Sequence, residues 1–225
     1  MKTVVHLLRH GEVWNPEGIL YGRRSGFHLS ERGNAMAQRV ADVIGDRDIT
    51  HIRSSPLERA QETAAPLAQA RGLEIVTDDR VIESANWFEG QAFGGGRNAL
   101  RDLRNWPRLW NPFKPSWGEP YAEIVARMMA GVHDARDAAL GHEAVIVSHQ
   151  LPIWTTRLAA EKRSFIHDPR KRQCTVCSLT SLHFEDRAFV GISYSEPARE
   201  LLAGHDANAP FSSGGAVGPD DLTDG

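Results

Sequence analysis

Cysteine is nearly absent from this chain: two residues in 225, Cys174 and Cys177, cannot build a disulfide framework. The 20 glycines and 12 prolines follow no period, which excludes collagen-like and other fibrous classes. Basic excess is missing as well. The 26 Lys and Arg residues face 29 Asp and Glu, for a formal net charge of -3, so nothing in the charge balance argues for a nucleic-acid partner. The apolar stretch nearest the N-terminus, Val4 to Leu8, is interrupted by His6 and followed at once by Arg9, far short of a secretory core or the ~20 residues of a membrane span. A composition of 41% hydrophobic and 24% charged residues suits one globular domain or at most two small ones. The expectation is a soluble, cytoplasmic protein that does not bind a membrane.

The sharpest change of composition comes at the end. Residues 203–225 hold five glycines, four aspartates and no Lys or Arg, too little apolar matter to offset the entropy of ordering, and are expected to form a disordered acidic tail on a domain spanning 1–202. Setting those aspartates aside brings acids and bases within one charge of each other, so any attraction for anions in the body must come from local clustering.

Within 1–202 strand and helix signals alternate. Strands are expected at Val4 to Leu8, Ile49 to Arg53, Leu73 to Val76 and Ala144 to Val147. Between them run amphipathic helices. One starts after Ser30 and stops at Gly45, and one starts at Ser55-Pro56 and stops at Gly72. A long one opens at Glu119-Pro120 and ends before Gly141, and another passes through Ile153 to Leu158. Thr175 to Phe184 and Ala188 to Tyr194 read as a hairpin turning at residues 185–187. The pattern predicts an α/β fold, a three-layer sandwich with a mostly parallel central sheet and helices on both faces. An aromatic-rich insertion of about 84–117 carries four of the six tryptophans and is expected to be a private minicore, a wall over the site, or both.

Polar residues follow three of the four parallel strands directly. Arg9-His10-Gly11 comes after the first, Ser54-Ser55-Pro56 with Arg59 after the second, and Ser148-His149 after the fourth. Ligands of open parallel sheets bind outside the carboxyl ends of the strands, so these segments should meet at one edge. Two arginines and two histidines without acidic partners of their own suit a tetrahedral dianion such as phosphate. Arg59 falls in the first turn of its helix, where the dipole already favours an anion. Flanking cations push an imidazole toward its neutral form and leave a lone pair for attack on phosphorus, a role assigned to His10. Glu83, after the third strand, is the carboxyl chosen to protonate the leaving oxygen, ahead of Glu12, Glu89 and Glu119.

The segments Arg9-His10-Gly11-Glu12, Ser54-Ser55-Pro56-Leu57-Glu58-Arg59-Ala60-Gln61-Glu62-Thr63 and Val147-Ser148-His149, in this order, resemble the histidine phosphatase superfamily, also called phosphoglycerate mutase-like, over about Val4 to Ser195. The resemblance implies the phosphoglycerate mutase-like fold and phosphoryl transfer through a phosphohistidine on His10. It implies a phosphate pocket of Arg9, Arg59 and His149, an acid/base role for Glu83, and contact of Asn15 with the transferred phosphate. It implies no metal and no other cofactor. The expected activity is that of a histidine acid phosphatase-like phosphoric monoester hydrolase acting on a small phosphorylated molecule.

The chain departs from the family pattern at three places. Gln150 follows His149 where glycine is usual, and adds an amide to the pocket or crowds it. The stretch 83–90 lacks the E-R-H-Y-G run of cofactor-dependent phosphoglycerate mutases, which favours a phosphatase. Arg53 brings a cation where an aromatic or apolar residue is common. A mutase and a catalytically silent phospho-ligand binding module stay open as alternatives, and the sequence is compatible with a homo-oligomer. Among weaker signals, Cys174-Thr175-Val176-Cys177 is expected to be two packed thiols on opposite faces of a strand, and the basic run from Arg157 to Arg172 a solvated loop.

Overall fold

The computed structural model describes residues 1–91, 118–168 and 171–202, and its first strand already shows the layering. Along β1 (Lys2–Arg9), Val5 and Leu7 face one apolar core while Leu8 faces another, the alternation that a pleated strand buried on both sides imposes. The elements that follow are α1 (Glu31–Ile44), β2 (Ile49–Ser54), α2 (Glu58–Arg71), β3 (Ile75–Thr77), α3 (Tyr121–Ala138), β4 (Glu143–Ser148), α4 (Gln150–Ala160), β5 (Leu179–Glu185) and β6 (Ala188–Ser195). The six strands make one sheet in the order β3-β2-β4-β1-β5-β6. β3, β2, β4 and β1 pair in parallel, and β5 and β6 continue the sheet antiparallel.

Helices α1 and α2 cover one face, burying Met36, Val40, Ile44, Ala60, Ala64 and Leu67 against Ile52, Val145 and Val147. The other face takes α3 and α4, where Ile124, Met128, Val132 and Ile153 meet Val5, Leu7, Ala144 and Ile146. The expected three-layer α/β sandwich is therefore the architecture found.

Local signals act where the sequence places them, with three differences. Ser30 caps α1, its side chain accepting the Gly33 N–H, and Gly72 ends α2 in the left-handed conformation that a residue without Cβ adopts freely. The expected cap at Ser55-Pro56 is displaced: α2 begins at Glu58 with Leu57 in the capping position, because Ser55 is held on β4, its N–H donating to the Val147 carbonyl at 3.0 Å. The hairpin begins at Leu179, not Thr175. Residues 174–178 form a turn in which Cys177 takes φ 55°, so the two cysteines are not on a strand. They are free and buried, Cys174 in the core under α3 and α4 and Cys177 in the core under α1 and α2. The third strand runs Ile75–Thr77, two residues later than its apolar run suggests. The insertion beyond Gln91 up to Trp117 and the tail 203–225 lie outside the described residues, as does part of the basic run. Among the described residues no helix is long and apolar enough to cross a membrane.

Candidate active site

Strand order decides what can meet. β4 lies between β2 and β1, and Arg9 is level with Ser148 across one pairing while Ser54 is level with Val147 across the other. All three strands thus end at one height and deliver Arg9-His10, Ser54-Ser55 and Ser148-His149 to a single edge. The His10 and His149 ring centroids are 5.1 Å apart. Arg9, His10, Arg59 and His149 are all buried, and both histidines feel the charge of both arginines.

Hydrogen bonds set the orientation of each group. His10 Nδ1 lies 2.7 Å from the Gly11 carbonyl, which can only accept, so Nδ1 carries the ring proton and Nε2 keeps its lone pair. Burial first, then Arg59 and Arg9, hold His10 well below the usual imidazole range, which keeps that lone pair available at neutral pH. The Ser55 hydroxyl, already accepting from the Leu57 N–H, lies 2.8 Å from His149 Nε2. A serine donating there leaves the His149 proton on Nδ1, an atom that is buried with no partner among the described residues. Burial, Arg59, His10 and Arg9 keep His149 neutral too. Its ring is a hydrogen-bond donor, not a cation.

The two arginines are held at their backs. Arg59 Nη2 donates to the Gly22 carbonyl at 2.6 Å, and its guanidinium lies over the Tyr21 ring, 4.6 Å from the centroid. Its Nε and Nη1 stay buried without acceptors among the described residues, as does the Tyr21 hydroxyl. Gly22 sits at φ 46°, and a Cβ there would strike the Glu89 side chain, so the loop that receives Arg59 requires glycine. Arg9 Nη1 donates to the Cys174 carbonyl at 2.7 Å. Unsatisfied buried donors are rare in folded proteins, and those of Arg59 and His149, two groups whose charges are coupled at this edge, suit a ligand with several acceptor oxygens.

Glu83 lies within range of the charges of the same two arginines. Burial raises its carboxyl above the usual carboxylate range, against the Ser84 N–H and the charges of Arg59 and Arg9, which lower it. Its oxygen accepts from the Ser84 N–H at 2.7 Å and the Ser84 hydroxyl at 3.2 Å. The rival acids are committed elsewhere. Glu12 binds the Ser30 hydroxyl and Arg32, Glu119 binds Arg23 and Arg127, and Glu89 accepts from the Asn86 N–H.

Several motif residues act in support. Thr63 accepts from the Gly11 N–H at 3.0 Å while donating to the Arg59 carbonyl at 2.6 Å, which ties the His10 turn to the helix carrying Arg59. Glu62 accepts from His28 and from the Leu29 N–H. A Cβ on Gly11 would come within 2.8 Å of the Gly33 carbonyl oxygen, so that crossing of turn and helix demands glycine. Asn15 is buried and closes its own loop, with Nδ2 donating to the Ile19 carbonyl and Oδ1 accepting the Ile19 N–H. Gln150 opens α4 and its amide lies 3.5 Å from the Cys174 carbonyl. Arg53 points away from the site to a buried pairing with Asp78.

Tyr21 and Arg127 have no counterpart in the sequence reading. Arg127, on α3, donates to the carbonyls of Arg80, Ile82 and Glu83 and pairs with Glu119, clamping the segment that carries Glu83. Only the positions of Tyr21 and Arg127 in the folded chain give them meaning. One is a lone aromatic in an irregular loop and the other a helix arginine like many.

Comparison with known proteins places the chain among relatives. The model of the histidine phosphatase superfamily (branch 1) matches residues 5–196. An uncharacterised Mycobacterium tuberculosis protein, Rv0525, is 55% identical over 197 residues, which are 88% of this chain and 98% of that protein. Phosphoserine phosphatase 1 of Hydrogenobacter thermophilus is 31% identical over 150 residues, 65% of this chain and 71% of its own. Among solved structures, a mutant phosphoserine phosphatase from Entamoeba histolytica in complex with phosphoserine superposes with a TM-score of 0.67 at 26% identity, covering 87% of this chain and 98% of that one. With a buried neutral histidine, two arginines and a second histidine gathered at one sheet edge, and the family model matching nearly the whole described chain, the protein belongs to the histidine phosphatase superfamily.

Proposed function

We propose that the protein is a metal-independent phosphatase that hydrolyses small phosphomonoesters through a phosphohistidine on His10. The observation that carries this reading is the His10 ring itself, its Nδ1 bound to the Gly11 carbonyl and its neutral Nε2 left as a nucleophile among Arg9, Arg59 and His149. In the first step the Nε2 lone pair forms a bond to phosphorus as the ester P–O bond breaks, and Glu83 gives its proton to the departing alkoxide oxygen. Arg9, Arg59 and the His149 Nδ1–H take up the charge of the three equatorial oxygens, with Asn15 and Gln150 at the rim of the phosphate site. In the second step Glu83, now a carboxylate, takes a proton from water. That water bonds to phosphorus, the P–N bond breaks, and inorganic phosphate and neutral His10 are restored. The raised proton affinity of Glu83 supports its service as an acid, and two phosphoserine phosphatases among its relatives support hydrolysis as the reaction. Cationic and neutral donors supply the charge balance that a metal provides in other phosphatases.

The test is phosphate release from a panel of phosphomonoesters, an aryl phosphate included, by the wild-type protein and by His10→Ala. Release by the wild type without a bisphosphate primer, and its loss by at least about ten-thousandfold in the folded variant, is the expected result. An isomerised product that depends on a primer would make the protein a mutase. Binding without turnover would make it a silent phospho-ligand module.

A further inference from the structure

His6 breaks the apolar run of β1, and its buried ring has a partner on each side. Nε2 lies 3.0 Å from a Glu143 carboxylate oxygen, and Nδ1 lies 2.7 Å from the Ser181 hydroxyl. Burial would raise the Glu143 carboxyl, but hydrogen bonds from His6 and Arg47 outweigh it and hold the value at about 2. An ionised carboxylate only accepts. Nε2 therefore carries the proton of the neutral ring, Nδ1 keeps the lone pair, and Ser181 donates to it. Arg47 holds Glu143 in turn, with Nε at 2.6 Å and Nη2 at 2.8 Å from its oxygens. The sheet register makes this possible, since Ser181 of β5 is level with His6 of β1 on one side and with Ser193 of β6 on the other.

These groups open on a cavity of about 350 Å³ beside the end of α1, whose walls include His6, Ser181, His183 and Ser193 with Val43 and Leu179. None of Arg9, His10, Arg59 and His149 lines it. A hydroxyl whose proton is bound by a base, the base being held by a carboxylate, is the arrangement that activates a serine. We propose that Ser181, with His6 as its base and Glu143 orienting that base, accepts acyl groups from small carboxylic esters admitted to this cavity. Ser181 Oγ bonds to the carbonyl carbon while its proton passes to His6 Nδ1. The ester C–O bond then breaks, and the departing alkoxide oxygen takes that proton. Water repeats the exchange at the acyl-serine and releases the acid. Ser193, with His183 Nε2 at 2.8 Å behind its hydroxyl, is placed to face the acyl oxygen. β1 and β6 engage the backbone of β5 on both sides, so the acyl oxygen depends on side-chain donors and the acyl-serine should form and decay slowly. The charged groups in the wall, Arg47 and Glu196, are bound to Glu143 and to Thr175 and Tyr194, which suits an uncharged ester. This second site goes beyond the phosphatase reading and does not rest on it.

The measurement is acetylation by p-nitrophenyl acetate, located by peptide mass in the His10→Ala protein, where the imidazole of the phosphate site cannot react. An acetyl group on Ser181, formed at least about a hundredfold faster than in the urea-unfolded chain, is the expected result. Adding His6→Phe should slow that acetylation at least about a hundredfold. Adding Glu143→Gln should slow it at least about tenfold, and Glu143→Asp, which keeps a carboxylate, should restore part of the rate. Should the His6 variant not fold, the two Glu143 variants decide. Ser181 left unmodified in the folded chain overturns the proposal. So does acetylation of Ser181 at the same rate with and without His6, or at the same rate in Glu143→Gln.

Discussion

In the proposed reaction Glu83 and His10 divide the chemistry, and burial shifts each in the direction its role needs. The same desolvation that drives the imidazole toward its neutral form raises the proton affinity of the carboxyl, against the pull of Ser84, Arg59 and Arg9. Two consequences can be measured. As pH rises through the raised Glu83 value the acid is lost and kcat/KM on an alkyl phosphate falls; Glu83→Gln should lack that alkaline limb. The same variant should lose about a hundredfold or more on alkyl phosphates and less than about tenfold on an aryl phosphate, whose oxygen leaves without a proton. Equal losses on both would assign the proton to another group. At this scale the sequence was informative where a residue type is rare at its position. A histidine directly after a strand and an arginine in a first helical turn stand out. Tyr21 does not, because an aromatic in an irregular loop acquires its role only from the neighbours that folding brings.

Glu83 has no regular element of its own and depends on what holds residues 78–83. Asp78 caps the short 3-10 turn Asp79–Val81, the Ser148 hydroxyl donates to the Val81 carbonyl at 2.7 Å, and Arg127 of α3 binds three carbonyls along the segment. Replacing Arg127 by methionine keeps the apolar stem and removes the clamp. It should lower kcat on alkyl phosphates by about tenfold to a hundredfold with little change in KM. A change confined to KM would mean that Arg127 serves binding and not the acid. Asp78 has a structural role as well. Burial would raise its carboxyl, yet hydrogen bonds from Arg80 and Arg53 outweigh it and hold the value at about 2, below the ordinary 3.8. A carboxyl whose folded value is depressed contributes stability in full above the ordinary value and loses it as pH falls through the folded one. Asp78→Asn should therefore unfold more easily by about 2 kcal/mol in urea at pH 7, with the gap narrowing below pH 4 and closing near pH 2. A gap that does not change with pH would deny the pairing. Arg53, visible in the sequence as a cation of unassigned direction, belongs to this pair. Its partner lies across the sheet on the segment after β3, at a separation no local pattern encodes.

At the scale of the whole molecule, the alternation of strand and helix fixes which strand ends can share an edge, and this is why the site could be placed from the chain alone. Arg9, His10, Arg59 and His149 converge because β1, β2 and β4 are parallel neighbours. The hidden parts are those without periodicity. Residues 175–178 read as strand by their continuity with β5, whereas the Cys174 carbonyl accepts from the Arg9 side chain and the Cys177 N–H donates to the Arg9 carbonyl. A body near charge balance is compatible with the proposed dianion site, since Arg9, His10, Arg59 and His149 are buried together and would need no long-range field. The proposed reaction bonds His10 Nε2 to phosphorus, and that bond can be observed. The protein is mixed with a rapidly hydrolysed phosphomonoester, quenched in alkali within milliseconds and digested, and the peptides are weighed. A single phosphoryl group on His10, formed and lost at rates matching turnover and absent from His10→Ala, is the predicted result. Steady hydrolysis with no phosphoryl group on His10, or with turnover retained in His10→Ala, would contradict it.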